Sequence, residues 1–170
     1  MSAETAPLIV SALLGAADFA WLDALRRSHY PPDRNRLPAH LTLFHHLPPS
    51  LAPELRRRLA EVARNSPPRA EAAGLINLGT GVAVKIVSPG LNDIRNDLVE
   101  AFRGLLTPQD AAGWRAHVTI QNKVSPHEAT ALLRALRTGF AARPVTIEGL
   151  ALHRYCGGPW EPVSRHLFRG

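Results

Sequence analysis

The chain has little or none of several features that define large classes of protein. Cys156 is its single cysteine, which excludes an internal disulfide framework and a cysteine-rich zinc site. No apolar run approaches the ~20 residues of a membrane span. No glycine-rich loop is followed by Lys-Ser or Lys-Thr, which disfavours a nucleoside triphosphatase. The first apolar run, residues 7–17, lacks the basic leader of a signal peptide, so we expect a reducing, cytoplasmic setting.

Lysine is also scarce, with only Lys85 and Lys123, yet the chain is basic because it is rich in arginine. The 20 Lys and Arg against 14 Asp and Glu give a net charge of +6, which favours an anionic partner such as a phosphate or a nucleic acid. Genomic composition explains the arginine bias equally well. With 170 residues, 45% of them hydrophobic, we predict a single domain, residues 1–170, which is either one compact unit or two small lobes that share a core.

A short pattern, histidine followed two residues later by threonine, occurs twice. His40 precedes Thr42 within residues 37–44, and His117 precedes Thr119 within residues 114–121. Each pair lies in an alternating apolar run, so a strand period of two places its His and Thr on one face. The residues between and after them then face a core: Leu41, Leu43, Val118 and Ile120.

The recurrence is informative because of its context. By chance alone, about 0.4 such pairs are expected in a chain of this composition, so the three-residue pattern is a weak motif by itself. Both copies follow loop-like residues, and they are separated by nearly half the chain. Together with residues 155–160, which resemble a late hairpin, this arrangement resembles the 2H phosphoesterase superfamily. That superfamily includes the 2′-5′ RNA ligase-like proteins and the cyclic phosphodiesterases.

The resemblance implies an α+β fold of two pseudo-symmetric lobes, whose antiparallel sheets form a V-shaped central cleft with one His-Thr pair on each side. It implies metal-independent phosphodiester chemistry on a ribose 2′,3′-cyclic phosphate or a 2′-5′ linkage. His117 would then be the general base and His40 the general acid, although the sequence leaves the reverse order open. No cofactor and no metal are expected, and the expected partner is a nucleotide or RNA end that carries a cyclic phosphate.

The chemistry of the residues agrees with that interpretation. Histidine has a pKa near 6.5 and can act as acid or base at neutral pH, so two histidines supply both proton transfers. The hydroxyls of Thr42 and Thr119 can donate hydrogen bonds to the phosphate oxygens. A single histidine on a strand is more often a packed structural residue, and threonine is common in strands, so the argument depends on the pairing.

Periodicity and turn residues predict alternating strands and helices. The glycines of Gly79-Thr80-Gly81 should allow a hairpin turn with positive φ at both, and Ser125 with Glu128 should form a capping box. Residues 107–113 should form a loop. The predicted strands cover residues 8–14, 39–47, 71–78, 82–87, 115–123, 144–155 and 160–168, and the predicted helices cover residues 16–28, 52–64, 89–106 and 126–140.

Other polar and aromatic residues are weaker candidates. A metal site of His40, His45 and His46 is disfavoured, because His40 and His46 lie about 20 Å apart along an extended strand. Gln121 and Lys123 continue the face of His117 and could reach a phosphate or a sugar, but a solvent-facing position is favoured. Tyr155 and Trp160 either complete the core or stack on a base, and residues 56–58, all arginine, form a solvated helix face or a phosphate-binding patch.

Two further functions stay open besides cyclic phosphate hydrolysis. The same residues could catalyse 2′-5′ RNA ligation. A ligation that is the reverse of phosphodiester cleavage needs no nucleotide-activation motif. A catalytically silent module that binds RNA ends, or a structural protein-interaction domain, is less favoured because neither needs two complete His-Thr pairs. We expect a monomer, since no long exposed apolar helix face is evident in the sequence.

Overall fold

The computed structural model describes residues 2–170, which form five α-helices, seven strands and two short 3-10 turns at Ala3–Thr5 and Pro49–Leu51. The strands are β1 (Leu8–Leu14), β2 (Leu41–Leu47), β3 (Arg69–Asn77), β4 (Val82–Val87), β5 (His117–Gln121), β6 (Arg143–Arg154) and β7 (Glu161–Leu167). The helices are α1 (Ala16–His29), α2 (Ala52–Val62), α3 (Pro89–Ala101), α4 (Pro108–Ala111) and α5 (Pro126–Arg137).

All strand pairs are antiparallel, and the strand order is β2-β1-β6-β3-β4-β5, with β7 on the second part of β6. The long strand β6 joins two sheets. Its first residues, 143–146, pair with β3, and residues 147–154 pair with β1. One sheet therefore carries β2, which begins directly after His40 and contains Thr42, and the other carries β5 with His117 and Thr119. The predicted α+β fold with two antiparallel sheets is confirmed.

The alternation of apolar residues along the strands builds the core as expected. Leu41 and Leu43 on β2, and Val118 and Ile120 on β5, are fully buried. They join one apolar cluster with residues of β1, β4 and β6. Since side chains alternate along a strand, burial of these four residues directs Thr42, His117 and Thr119 to the opposite face of each strand.

The two motif strands lie at opposite ends of the strand order and yet contact one another. Helix α1 packs against β5, and the short helix α4 packs against β2. A helix that precedes the first motif thus covers the strand of the second motif. This arrangement brings the two His-Thr pairs to one place without a hydrogen-bonded ladder between their strands.

The helix starts follow the capping residues in the sequence. The Ser125 hydroxyl accepts a hydrogen bond from the backbone N–H of Glu128 at 3.1 Å, and Pro126 occupies the first helical position. Ser88 caps α3 in the same way, through the N–H of Leu91 at 3.2 Å. Serine at the N-cap and proline directly after it stabilise a helix start, so both starts are confirmed.

Three local predictions are wrong. His40 lies in the loop directly before β2 instead of within the strand. Residues 107–113, predicted as a loop, contain the helix α4, which Thr107 caps through the N–H of Asp110. The helix predicted to continue to residue 106 ends at Ala101, and Gly104 soon after it has a positive φ of 86°.

The β3–β4 turn is also different from the prediction. Gly79 has a positive φ of 88°, as expected, whereas Gly81 does not. Gly81 is instead required by space: a Cβ at this position would lie 1.9 Å from the backbone oxygen of Gln121. The absence of a side chain thus lets the turn approach the end of β5.

No helix within residues 2–170 is long and apolar enough to cross a bilayer.

Candidate active site

The first motif histidine is held by the chain that leads into β2. The Nδ1 atom of His40 lies 2.8 Å from the carbonyl oxygen of Pro38. A carbonyl only accepts, so in the neutral ring Nδ1 carries the proton and donates it. The lone pair of Nε2 is then free to take up a proton. The ring of Trp160 packs edge-on against the imidazole of His40, with the two centroids 4.8 Å apart.

The second motif histidine is held by the same device. The Nδ1 atom of His117 lies 2.7 Å from the carbonyl oxygen of Arg115, which is again the residue two positions earlier. Both imidazoles are therefore fixed to their own backbone through Nδ1, with Nε2 left over. This matched geometry is not visible in the three-residue pattern itself.

The two motif threonines have partly exposed side chains and firmly held backbones. The Trp114 indole N–H donates to the carbonyl oxygen of Thr42 at 3.1 Å, and an Arg26 guanidinium N–H donates to that of Thr119 at 2.9 Å. These bonds satisfy backbone carbonyls at the two ends of the strand order. The Thr42 and Thr119 side chains are half-buried.

The pKa of His40 reflects its burial and the charged groups around it. Burial lowers the pKa of His40 from 6.5 to about 4, although the hydrogen bond to Pro38 opposes the shift. Repulsion by Arg26, and by His45 and His117 whenever they are protonated, lowers the same pKa further. His117 is thus near enough to influence His40, and His40 is neutral at neutral pH in the ligand-free protein.

Two buried arginines each bind the motif strand that belongs to the other half of the chain. Arg26 on α1, 4% exposed, contacts β5 through Thr119. Arg95 on α3, 5% exposed, donates its Nε–H to the carbonyl oxygen of Leu43 on β2 at 2.9 Å. Each arginine comes from the helix that precedes one motif and binds the strand of the other motif. Sequence reasoning missed both, because an arginine on a helix is usually a solvated residue.

Asp110 is a second group that sequence reasoning missed. Its carboxylate accepts hydrogen bonds from the backbone N–H groups of His45 and His46, each at 2.9 Å. Burial by itself raises the pKa of Asp110, but the hydrogen bonds from His45 and His46 outweigh it and the pKa is lowered. The Asp110 carbonyl oxygen also accepts from Arg95 at 2.7 Å, so α4 and α3 together hold the end of β2.

The weaker candidates from the sequence are mostly set apart from the two motifs. Gln121 is buried at 7% exposure, so the expectation that it faces solvent is wrong. Lys123 follows the end of β5 with a positive φ of 62°. Tyr155 is 45% exposed, whereas Trp160 lies on His40. His45 and His46 are exposed, and within residues 2–170 no group of three His, Cys, Asp or Glu side chains is placed to hold a metal.

The family model described as the 2′-5′ RNA ligase superfamily matches residues 15–159, which is most of the sequence and includes both His-Thr pairs. The chain belongs to the 2′-5′ RNA ligase superfamily. The resemblance to 2H phosphoesterases is thereby confirmed, and an enzyme of the phosphoesterase and ligase kind is supported. No curated protein sequence matches the chain.

The fold of this chain is similar to that of several solved structures. TT0787 of Thermus thermophilus is similar with a TM-score of 0.66 and 20% identity, over 96% of this chain and 98% of that chain. A phosphoesterase structure is similar with a TM-score of 0.58 and 19% identity, over 97% and 99%. E. coli LigT in complex with 3′-AMP is similar with a TM-score of 0.56 and 18% identity, over 98% and 99%. At these identities the similarity establishes the fold.

Proposed function

We propose that the two His-Thr pairs form one active site that breaks phosphodiester bonds without a metal ion. The substrate is a ribose 2′,3′-cyclic phosphate or a 2′-5′ linkage at a nucleotide or RNA end. The observation that carries the proposal is the matched anchoring of His40 and His117, each through Nδ1 to the carbonyl two residues earlier. That anchoring leaves two Nε2 atoms for proton transfer, one from each motif.

Each residue then has a stated task. His117 takes a proton from the attacking water, and His40 gives a proton to the leaving ribose oxygen, which is the order that the family resemblance implies. The hydroxyls of Thr42 and Thr119 donate hydrogen bonds to phosphate oxygens as negative charge grows on them. Each proton-transfer group contributes about 10²–10⁴-fold in rate.

The low pKa of His40 means that this residue must gain a proton before it can act as the general acid. In the ligand-free protein the ring is neutral at neutral pH, since burial lowers its pKa to about 4. A bound phosphate brings negative charge next to the ring and raises that pKa, so the substrate itself helps to protonate His40. Once protonated, a group with a low intrinsic pKa gives up its proton readily to the leaving oxygen.

Ligation is the second candidate function, and it is supported by membership of a superfamily described as 2′-5′ RNA ligases. The acid of one direction is the base of the other, so the same two histidines serve both directions. A nucleotide-sized substrate is supported by a protein of the same fold, since E. coli LigT has been solved with 3′-AMP, with NADP+ and with ATP. A silent module that only binds RNA ends is the third candidate.

One experiment separates these candidates. The purified chain, freed of metal with EDTA, is incubated with adenosine 2′,3′-cyclic phosphate, a 2′-5′ linked diadenosine and an RNA that ends in a cyclic phosphate. The double variant His40→Ala/His117→Ala, prepared identically, controls for contaminating nucleases. We expect turnover in EDTA by the wild type alone.

The other outcomes have defined meanings. A joined 2′-5′ product from cyclic-phosphate and 5′-hydroxyl RNA ends would assign the ligase direction. Binding of RNA ends without any turnover would assign the silent module. Activity that returned only on addition of a divalent ion would contradict the metal-independent mechanism.

A further inference from the structure

A cavity beside His40 is not used by the proposed chemistry. It has a volume of about 480 Å³ and opens between β1, the loop before β2 and the hairpin of β6 and β7. His40 lies in its wall, whereas His117 and Thr119 do not. The cavity therefore extends away from the reacting phosphate on the His40 side, where the rest of a substrate can lie.

The wall of this cavity combines an aromatic surface with polar groups. Trp160 lines it and packs against both His40 and His153, with ring centroids 4.8 and 5.4 Å apart. Phe19 adds a second aromatic ring from α1. Aromatic side chains next to hydrogen-bonding groups favour a planar heterocycle over an aliphatic chain, because a base stacks on the ring and pairs at its edge.

His153 is the least satisfied polar residue of the wall. Its Nδ1 atom is buried without a hydrogen-bond partner within residues 2–170. Burial lowers the pKa of His153, and the nearby charge of Arg165 lowers it further, so the ring is neutral at neutral pH. An unpaired buried nitrogen is uncommon in a folded protein, so this ring has an unmet hydrogen bond in the ligand-free state.

Arg165 supplies the positive charge of the cavity. It is exposed on β7, lines the cavity, and forms no salt bridge within residues 2–170. Pairing across the sheet places Thr42 opposite Ser11, Ser11 opposite Ala151, and Ala151 opposite Arg165. Residues directly opposite one another share a face, so Arg165 and Thr42 point to the same side.

Thr42 and Arg165 lie at the two ends of this row of paired residues, far enough apart for two phosphate positions. Three strand spacings put the backbone of Arg165 about 14 Å from that of Thr42. At this distance Arg165 reaches the phosphate held by Thr42 only with its side chain extended along the sheet. The distance suits a second anionic group on the far side of a nucleoside that fills the cavity between the two residues.

We propose that this cavity is a subsite for a nucleoside that carries a phosphate of its own, with the base on Trp160 and the second phosphate on Arg165. The inference rests on the proposed function and narrows its substrate class. The preferred substrates have a cyclic phosphate and a further phosphate one nucleoside away, as at the end of an RNA chain. A cyclic nucleoside monophosphate, which has only the reacting phosphate, is the poorer substrate.

The test compares two substrates that differ by one group: adenosine 2′,3′-cyclic phosphate and the same compound with a 5′-phosphate. We expect kcat/KM to be at least about tenfold higher for the 5′-phosphorylated compound, as for a hydrogen bond to a charged group. In Arg165→Gln the ratio between the two substrates should fall towards one. The matched control Arg134→Gln removes an exposed arginine from the last turn of α5 and should keep the ratio.

Two results would overturn the subsite. The first is a wild-type ratio near one, and the second is an Arg165→Gln variant that loses activity on both substrates equally and keeps their ratio. The latter would mean that Arg165 serves the reacting phosphate.

A binding measurement keeps the subsite testable if the chain turns over neither substrate. Quenching of tryptophan fluorescence is compared for adenosine 5′-monophosphate and adenosine, with Trp160→Phe to identify the responding residue. We expect tighter binding of the monophosphate, lost in Arg165→Gln. Selective binding without turnover would refute the proposed function and keep the subsite, whereas equal binding of both ligands would refute the subsite.

Discussion

His40 and His117 are anchored by the same local hydrogen bond, yet the surroundings of the two imidazoles differ. His40 stands in a loop, is covered by Trp160, and has a pKa lowered to about 4. His117 is the first residue of β5 and is partly exposed. The motif therefore fixes the orientation of each ring, while residues from distant parts of the chain set the proton affinity of His40.

Each motif strand is supported by a buried arginine, but the two arginines make different contacts. Arg26 stacks on Tyr30, 4.2 Å from the ring centroid, and binds one carbonyl of β5. Arg95 stacks on Phe44 at 4.7 Å and binds both β2 and the backbone of α4. Each half of the chain thus contributes one arginine support to the motif strand of the other half.

Removal of either histidine should have the largest effect. We expect His40→Ala and His117→Ala each to lower kcat/KM on a cyclic phosphate by at least about 10²-fold, because each loses one proton-transfer group. The double variant should lose much less than the product of the two factors. His127→Ala, an exposed histidine on α5, is the matched control. Full activity of either single variant, with an unchanged circular dichroism spectrum, would refute the two-histidine mechanism.

Removal of a buried arginine should act on stability. We expect Arg95→Met and Arg26→Met each to lower the free energy of unfolding by about 2–4 kcal/mol, since buried carbonyl oxygens lose their charged donors. Urea denaturation measures this loss, with Arg134→Met on the surface of α5 as the control. Arg95→Lys should recover only part of the stability, because lysine lacks the planar fork that reaches two carbonyls. Wild-type stability of both Met variants would contradict the reciprocal supports.

Removal of a threonine hydroxyl should have a smaller effect than loss of a histidine. Thr42→Val and Thr119→Val keep the shape of the side chain, so we expect the fold to persist and kcat to fall about 10–150-fold. That range corresponds to the loss of a hydrogen bond to a charged group. Ser variants keep the hydroxyl and serve as controls. Unchanged kinetics in both Val variants would leave the threonines as ordinary strand residues.

Removal of Trp160 should raise the pKa of His40. In Trp160→Ala, water reaches the ring of His40, so its pKa should rise from about 4 towards the ordinary value of 6.5. An NMR titration of the histidine nitrogens measures this pKa. A pKa of His40 that stays the same in Trp160→Ala would show that the indole is not the source of the burial.

The same shift makes stability depend on pH. His40 has a lower pKa in the folded protein than in the unfolded chain, so the unfolded chain binds the proton more readily. The folded protein is therefore favoured above about pH 6.5, and this advantage is lost as the pH falls towards 4. Unfolding curves at several pH values should therefore show a shallower decline below pH 6.5 in Trp160→Ala than in the wild type.

Sequence patterns predicted much of the fold, and they also supply the four residues of the candidate site. The alternation of Leu41, Thr42 and Leu43 predicted which side chains enter the core, and Ser125 with Pro126 predicted a helix start. These features depend on neighbours along the chain, which a sequence displays directly.

The residues that differentiate the two halves could not be predicted in this way. Trp160 reaches His40 from the far end of the chain, and Asp110 caps β2 from a helix 65 positions away. Arg26 looks like one of several basic residues at the end of an ordinary amphipathic helix until the packing of α1 on β5 buries it. Such contacts depend on tertiary packing, and local propensity contains no trace of them.

The central claim is that one ligand engages both halves at once, and a single titration tests it. Adenosine 2′-phosphate is added to the nitrogen-15 labelled protein in EDTA, and the Nε2 resonances of His40 and His117 are followed, with the two Ala variants giving their assignments. The account predicts that both resonances shift along one binding curve with one dissociation constant. A shift at only one histidine, or two curves with different dissociation constants, would contradict it.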